Sequence, residues 1–191
     1  MSDRFVAWDP THRRRPAEVV AGPAGGHDVA ALVALAEEHT GLAAGWTGRF
    51  AADLSESRRA LFVARVDGTP AGYGRVAYLC PPQRSASGGA PPGWYLAGLV
   101  VAPPWRGCGA GGEVTRARVD WVAQRAGEVW YYANAANAVS LALHAQLGFE
   151  EVTRDVSIPG VSFDGGVGVL CRLDLGSGRR PAGGAQGRHR R

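Results

Sequence analysis

The stretch that decides the fold reads Gly98-Leu99-Val100-Val101-Ala102-Pro103-Pro104-Trp105-Arg106-Gly107-Cys108-Gly109-Ala110-Gly111-Gly112. It joins an apolar strand to a helix through a tight turn and a glycine-rich loop. The residues that lead into it, Trp94 to Val101, are apolar on both alternating faces. This pattern is typical of a strand that is covered on both sides near the middle of a sheet.

The loop itself has the composition of an anion site. Gly107, Gly109, Gly111 and Gly112 leave little side chain between the backbone amides and an approaching ligand. A helix N-terminus carries unpaired N–H groups and a partial positive charge, so these glycines indicate an anion cradle. Arg106 adds a permanent cation whose planar fork suits phosphate oxygens. The stretch therefore predicts a phosphate or pyrophosphate site at the carboxyl end of a central strand.

A dinucleotide site is an alternative, because Gly107-x-Gly109-x-x-Gly112 also fits that fingerprint. Such a unit needs its glycines directly after the strand and an acidic residue at the end of the next strand. Here Pro103-Pro104-Trp105 intervenes, and Glu128 precedes the next strand. These departures disfavour the dinucleotide interpretation.

The remaining apolar periodicities predict an alternating chain of strands and helices. Strands are predicted at 18–21, 60–66, 71–79, 94–101, 129–133, 149–157 and 167–173, and helices at 29–39, 46–56, from 113 onward and at 137–148. Asp28 is a candidate N-cap for the first helix, and the third places Val114, Ala117 and Trp121 on one apolar face. The loop at 81–93 is long enough to be functional or mobile. The order β-α-α-β-β-β-α-β-α-β-β indicates an α/β fold of the α+β type, a mixed sheet with helices on its faces.

Charge is concentrated at the end of the chain. Between Gly176 and Arg191 there are five arginines and no acidic residue, which accounts for the net charge of +4. We therefore expect a flexible arm at 1–16, a single domain at 17–175 and a disordered Gly/Arg tail at 176–191. The alternative to a disordered tail is a segment that binds nucleic acid or an acidic partner. We do not expect nucleic-acid binding.

Cysteine usage and hydropathy indicate the compartment. Cys80, Cys108 and Cys171 have no metal-ligand spacing, so we expect reduced thiols and no metal. The chain has no apolar run of about eighteen residues, the length a membrane helix needs. These observations predict a cytoplasmic protein without a membrane partner. The sequence does not determine the oligomeric state, and a homodimer is one of the possibilities.

Two motifs together resemble the GNAT superfamily of N-acetyltransferases. Arg106-Gly107-Cys108-Gly109-Ala110-Gly111 matches its Arg/Gln-x-x-Gly-x-Gly/Ala signature, and Val100-Val101-Ala102-Pro103 resembles the lead into it. One helix and one strand later, Asn137-x-x-Ser140-x-x-Leu143-His144-x-x-Leu147-Gly148-Phe149 resembles the second helix of such enzymes. The strong resemblance covers about 94–150.

The resemblance implies a mostly antiparallel sheet with helices on both faces, in which the strand at 94–101 splays from the next strand. It implies acetyl-CoA as cosubstrate and direct acetyl transfer to a primary amine of a small-molecule or peptide acceptor. The loop at 81–93 and the segment at 158–166 would then determine acceptor specificity. The implied coenzyme-binding residues are Leu99, Val100, Val101, Arg106, Gly107, Cys108, Gly109, Ala110, Gly111, Gly112, Asn137 and Ser140.

Proton transfer is where this sequence departs from the resemblance. The family usually has a tyrosine acid at the position of His144. An imidazolium can donate a proton and a neutral imidazole a hydrogen bond, so His144 is the candidate catalytic acid, with an exposed histidine of no role as the alternative. Asn137 is a candidate coenzyme contact, an N-cap, or both. No residue is assigned as general base. Glu37, Glu38, Asp53 and Glu56 are candidates for that role only by analogy with the family, and each is expected to be a solvated helix residue. The loss of the tyrosine motivates a second hypothesis, a non-catalytic acyl-CoA-binding or regulatory module.

Overall fold

The computed structural model describes residues 18–42, 44–80, 89–158, 160–163 and 165–176. In chain order its elements are β1 (Val19–Pro23), α1 (Val29–Thr40), α2 (Trp46–Ser55), β2 (Arg59–Val66), β3 (Thr69–Leu79), β4 (Gly93–Val101), α3 (Ala110–Ala123), β5 (Glu128–Asn134), α4 (Ala138–Gln146), β6 (Glu150–Thr153) and β7 (Gly168–Asp174). Short 3₁₀ turns occupy Gly26–Asp28 and Pro103–Trp105. The predicted arm at 1–16, the tail beyond Gly176 and residues 81–88 of the long loop lie outside the described residues.

The strands form one seven-stranded sheet in the order β1-β2-β3-β4-β5-β7-β6. Every neighbouring pair is antiparallel except β4 and β5, which are parallel. The predicted order of elements and the mostly antiparallel mixed sheet are therefore confirmed.

Helices cover both faces of the sheet, and β2 shows how the sequence arranges this. Leu61 and Val63 pack in a core with residues of α1 and α2. Phe62 and Ala64, which alternate with them, belong to the larger core under α3. All four are at most 3 % exposed. Strict alternation of apolar residues that are buried on both sides places a strand between two layers of helices.

The junction between β4 and β5 is open at one end. The two strands pair only at Tyr95 with Trp130 and at Leu96 with Tyr131. On its other side β4 stays paired with β3 as far as Val101, with a bulge opposite Gly74 and Arg75. Gly98 occupies this bulge with φ 57°, a left-handed conformation that glycine adopts without strain. The chain after Leu96 therefore diverges from β5, which confirms the predicted splay.

Helix α3 begins at Ala110, three residues before the predicted start. Gly109, with φ 96°, holds the N-cap position, and the small residues that follow form the first turn. Leu143 of α4 packs closely on that turn. If Gly111 carried a Cβ, that atom would lie 3.5 Å from the Cδ2 of Leu143. Tertiary packing thus favours helical glycines that propensity alone disfavours.

The predicted apolar face of α3 is confirmed in part. Val114 is buried, and Ala117 and Trp121, which are half-buried, pack against the same core. The other buried residues of α3 are Ala110, Thr115, Arg118 and Val122. The prediction missed Thr115 and Arg118 because threonine and arginine are normally assigned to the surface.

Two smaller predictions need correction. Asp28 stands at the N-cap position of α1, but its side chain does not cap the helix. Its carboxylate instead accepts a hydrogen bond from the Gly25 N–H (2.9 Å) and pairs with Arg65. The strand predicted at 149–157 is shortened to Glu150–Thr153, where a register shift against β7 ends regular pairing.

Candidate active site between β4, β5 and the start of α3

The glycine-rich loop adopts a conformation that only glycine tolerates well. After the 3₁₀ turn, Gly107 has φ 77° and Gly109 φ 96°. Both values lie in the left-handed region, which a Cβ disfavours. The chain therefore reverses sharply between the end of β4 and α3, and α3 begins close to the open end of the sheet.

The backbone amides of this loop are free to bind a ligand. Among the described residues, no hydrogen bond is donated by the N–H groups of residues 107–112. The first N–H of the segment with a partner is that of Glu113, which donates to the Gly109 carbonyl at 3.0 Å. Unpartnered amides at the positive end of a helix attract anions. Gly107 and Gly109 are exposed and Gly111 and Gly112 are half-buried, whereas Cys108 and Ala110 are buried, so a ligand would meet the glycine amides first.

Arg106 lies beside this cradle in a fixed position. Its Nε donates to the Val101 carbonyl at 3.2 Å, and its side chain is half-buried. With His39 and Glu38 it lines a cavity of about 170 Å³ between α1 and the end of β4, called here the loop cavity. Burial first, and then the Arg106 charge, lowers the pKa of His39.

A second cavity of about 170 Å³ fills the opening between β4 and β5 and is called here the gap cavity. It brings four of the predicted site residues together: Leu99, Asn137, Ser140 and His144. Its other lining residues are Leu96, Gly98, Arg118, Tyr131, Tyr132 and Ala133. The resemblance to acetyltransferases thus identifies part of this cavity in advance.

The predicted β4 residues divide between the two cavities. Leu99 lines the gap cavity, whereas Val100 and Val101 line the loop cavity. The Val100 side chain is buried in the core with Tyr73. Because these side chains serve packing, any ligand contact would use their backbone. Cys108 is buried, and its thiol donates to the Trp105 carbonyl at 2.8 Å, as expected for a small filler residue.

Asn137 and Ser140 begin helix α4 together. The Asn137 Oδ1 accepts a hydrogen bond from the Ser140 N–H at 3.1 Å, so the predicted N-cap is confirmed. The Asn137 side chain also borders the gap cavity, and its contact with coenzyme stays a prediction.

His144 is one of the most deeply buried polar residues of the described chain. Only 1 % of it is exposed, and its Nδ1 lies 2.8 Å from the Ser140 carbonyl. Since a carbonyl can only accept, Nδ1 carries a proton. Burial, reinforced by Arg118, lowers the pKa of His144 to about 3, so the ring is neutral at physiological pH. This geometry does not support the predicted proton-donating role.

Among the lining residues of the gap cavity that were not predicted from the sequence, Tyr131 and Arg118 carry polar groups with hydrogen-bond partners there. Tyr131 of β5 donates a hydrogen bond from its hydroxyl to the Ser140 Oγ at 2.6 Å. Burial raises the pKa of Tyr131, and the Ser140 hydrogen bond and the Arg118 charge oppose that increase only in part. The phenol therefore stays protonated well into the alkaline range. A tyrosine within an apolar strand resembles a core residue, so the sequence carried no signal for it.

Arg118 places a buried cation against the same cavity. It is 1 % exposed and donates to the Thr115 hydroxyl (2.9 Å) and, more weakly, to the carbonyls of Val114 (3.3 Å) and Arg75 (3.4 Å). No carboxylate of the described residues forms an ion pair with it. Burial lowers the pKa of Arg118 to about 9. Its position between Val114 and Val122 on one helix face was the signal that could have found it.

The candidate acids on the first two helices do not converge on the gap cavity. Glu38 lines the loop cavity. Asp53, expected to be solvated, is instead buried, where its Oδ1 accepts from the Arg75 Nη2 at 3.0 Å. Within the described part of the chain, no three His, Cys, Asp or Glu residues form a group that could hold a metal ion.

Comparison with protein families identifies the family of the chain. The model of the Acetyltransferase (GNAT) family matches residues 29–149, which include the loop, the β4–β5 opening and α4. The chain belongs to the GNAT acetyltransferase family. No curated protein matches it significantly.

Solved structures confirm the GNAT fold. A ribosomal-protein-S18-alanine N-acetyltransferase from Escherichia coli is 18 % identical, with a TM-score of 0.60 over 83 % of this chain and 95 % of that chain. A ribosomal-protein-alanine N-acetyltransferase from Brucella melitensis is 19 % identical, with a TM-score of 0.62 over 81 % and 99 %. A putative acetyltransferase from Salmonella typhimurium, solved with its cofactor acetyl-CoA, is 18 % identical, with a TM-score of 0.61 over 86 % and 98 %. None of the described helices of this GNAT chain has the length and hydropathy to span a membrane.

Proposed function

We propose that this GNAT protein transfers the acetyl group of acetyl-CoA to a primary amine of a small-molecule or peptide acceptor, in a ternary complex and without a covalent acetyl-enzyme. The observation that carries the proposal is the row of unpartnered amides at residues 107–112, directly beside the opening between β4 and β5. The Salmonella structure with acetyl-CoA supports the choice of donor.

The pyrophosphate, the pantetheine arm and the thioester carbonyl of acetyl-CoA would each have a place in this arrangement. The amides of residues 107–112 would bind the pyrophosphate, and Arg106 would add its charge. The pantetheine arm would enter the gap cavity along the backbone of 99–101, near Asn137 and Ser140. Beyond Leu96 the N–H groups of β4 that face β5 have no strand partner. Such groups are the donors that polarise a carbonyl as it becomes tetrahedral.

The reaction needs a neutral amine and a protonated leaving group. A free alkylamine has a pKa of about 10.4 and a thiol one of about 8.5, so the amine must lose a proton before attack and the thiolate benefits from receiving one. No residue is assigned as the base, because Glu37, Glu38, Asp53 and Glu56 do not line the gap cavity.

The test is release of free thiol from acetyl-CoA in the presence of a panel of amines, amino-acid amides and peptides with free N-termini. We expect amine-dependent thiol release and an acetylated product of matching mass. A parallel calorimetric titration with CoA measures binding alone. Tight CoA binding without turnover on the whole panel would favour the acyl-CoA-binding module, and the absence of CoA binding would contradict both functions.

A further inference from the structure

We infer that Ser140 and Tyr131 form a two-hydroxyl relay that delivers a proton to the coenzyme A thiolate as it leaves. The inference rests on the proposed acetyl transfer and extends it, because it assigns the step for which His144 is unsuited. Ser140 is the residue that would contact sulfur, and Tyr131 is the second residue of the relay.

The relay is already connected before any ligand binds. The Tyr131 hydroxyl donates to the Ser140 Oγ at 2.6 Å, which leaves the Ser140 hydroxyl proton free to be donated onward. Both residues line the gap cavity. The backbone of Ser140 is held on two sides, since its N–H donates to Asn137 and its carbonyl accepts from His144. A hydroxyl fixed in this way is preorganised for donation into the cavity.

His144 positions the relay. Its ring lies parallel to that of Tyr131, with centroids 3.5 Å apart and planes 6° apart. Phe149 contacts both rings edge-on and closes the stack. The Tyr131 ring therefore has little freedom to turn away from Ser140.

Arg118 supplies a charge that reduces the free-energy cost of the transfer, since it opposes the increase that burial causes in the pKa of Tyr131. It is buried at the same cavity and no described carboxylate neutralises it. An uncompensated cation in a site of low dielectric stabilises both a departing thiolate and the phenolate that the relay produces. A glycine makes room for it: a Cβ on Gly74 would lie 2.7 Å from the Arg118 Nε.

Acetyl transfer and protonation of the CoA thiolate proceed in one sequence of bond changes. The neutral amine attacks the thioester carbonyl, the C–S bond breaks, and the electron pair of that bond goes to sulfur. Sulfur takes the proton of the Ser140 hydroxyl, and Ser140 takes the proton of Tyr131. The protonated amide nitrogen then loses one proton to water, and water returns a proton to the phenolate. The net products are the acetylated amine and free CoA thiol.

The kinetic test compares Tyr131→Phe and Ser140→Ala with Tyr95→Phe. Tyr95 is a matched control, because it is also a buried tyrosine whose hydroxyl has a partner, the Pro91 carbonyl at 2.7 Å, but it does not line the gap cavity. We expect Tyr131→Phe to lower kcat on the order of 10²-fold, the usual size of general acid catalysis. The KM for acetyl-CoA should stay within about twofold, and the double variant should be no slower than the worse single variant, since both belong to one unit. Tyr95→Phe should keep kcat within about twofold, as expected for a hydroxyl outside the reaction.

A second readout needs no acceptor. When CoA is bound, donation from Ser140 together with the Arg118 charge should lower the pKa of the CoA thiol below its free value of about 8.5. The ultraviolet absorbance of the thiolate, followed against pH, measures this value in the complex. Tyr131→Phe should raise the thiol pKa again, whereas Tyr95→Phe should not change it.

The outcomes separate the inference from the function on which it rests. If the wild-type protein binds no CoA, the proposed function fails and the relay fails with it. If CoA binds and Tyr131→Phe leaves both the thiol pKa and kcat unchanged, the relay is wrong while the proposed function stands. Additive losses in the double variant would also overturn it.

Discussion

The imidazole of His144 lies flat on the phenol of Tyr131, with ring centroids 3.5 Å apart. This stack joins α4 to β5 at the wall of the gap cavity. It places a polar ring where the hydrophobic core would otherwise continue, and it removes that ring from solvent. The buried position makes His144 a structural partner of Tyr131 and a poor proton donor.

Replacing His144 by phenylalanine tests this assignment. His144→Phe keeps an aromatic ring against Tyr131 but carries no proton, so we expect kcat to fall by less than about tenfold, below the usual size of general acid catalysis. Steady-state rates of thiol release measure it. A fall of about 10²-fold with unchanged KM would restore His144 as the acid.

The same residue should make folding stability depend on pH. Burial lowers the pKa of His144 from 6.5 to about 3, so between these values the unfolded chain binds a proton that the folded chain excludes. The contribution of neutral, buried His144 to the free energy of unfolding is fully present above pH 6.5, and it is lost as the pH falls toward 3. Urea unfolding at intervals from pH 7 to pH 4 should show a smaller loss for His144→Phe than for wild type. Equal losses would contradict the buried neutral state.

Arg118 should contribute to activity at the expense of stability. Arg118→Met removes a buried, unpaired charge and leaves an apolar chain of similar length, so the free energy of unfolding should be unchanged or higher. The rate should fall, because the departing thiolate loses its nearest buried cation. Arg116→Met on the exposed side of α3 is the matched control and should leave the rate unchanged. A large destabilisation by Arg118→Met would indicate that the charge has a structural partner.

Arg106 should act on coenzyme binding alone. Arg106→Ala removes a half-buried side chain with one carbonyl contact, so we expect a loss of about 1 kcal/mol or less in stability. The Kd for CoA should rise about tenfold, because a charge-assisted contact to phosphate is lost. Calorimetry against Arg125→Ala provides the control, because Arg125 also donates to one main-chain carbonyl, that of Trp121 at 2.7 Å, but lies just past the other end of α3. An unchanged Kd would separate Arg106 from the anion site.

Much of the fold was predictable because local patterns agree with one another. The strand at 94–101, the glycine loop and the Asn137 cap each carry a short-range signal, and their spacing along the chain agrees with the observed order of elements. The splay of β4 from β5 was predictable only through resemblance to the GNAT family. It depends on Gly98 and on pairing that stops after Leu96, which are long-range features.

The interior of the site was less predictable. Arg118 lies buried because Gly74, far away in the sequence, leaves room for it. The Tyr131–Ser140 bond joins a strand residue to a helix residue, and no periodicity reports that contact. His144 was recognised as a departure from the family motif, but its burial depends on the packing of Tyr131 and Phe149 around it. Sequence pattern identifies the residue types, whereas tertiary packing decides their protonation.

The central claim is that the amides of residues 107–112 hold the diphosphate of coenzyme A. Isothermal calorimetry of CoA, of dephospho-CoA, which keeps the diphosphate but lacks the 3′-phosphate, and of pantetheine, which has neither the diphosphate nor the nucleoside, tests it most directly. We predict a Kd on the order of 10 μM for CoA and for dephospho-CoA, and binding of pantetheine at least about 100-fold weaker, a difference of about 2.7 kcal/mol. Equal affinities for dephospho-CoA and pantetheine, or no heat with CoA at about millimolar concentration, would contradict the claim.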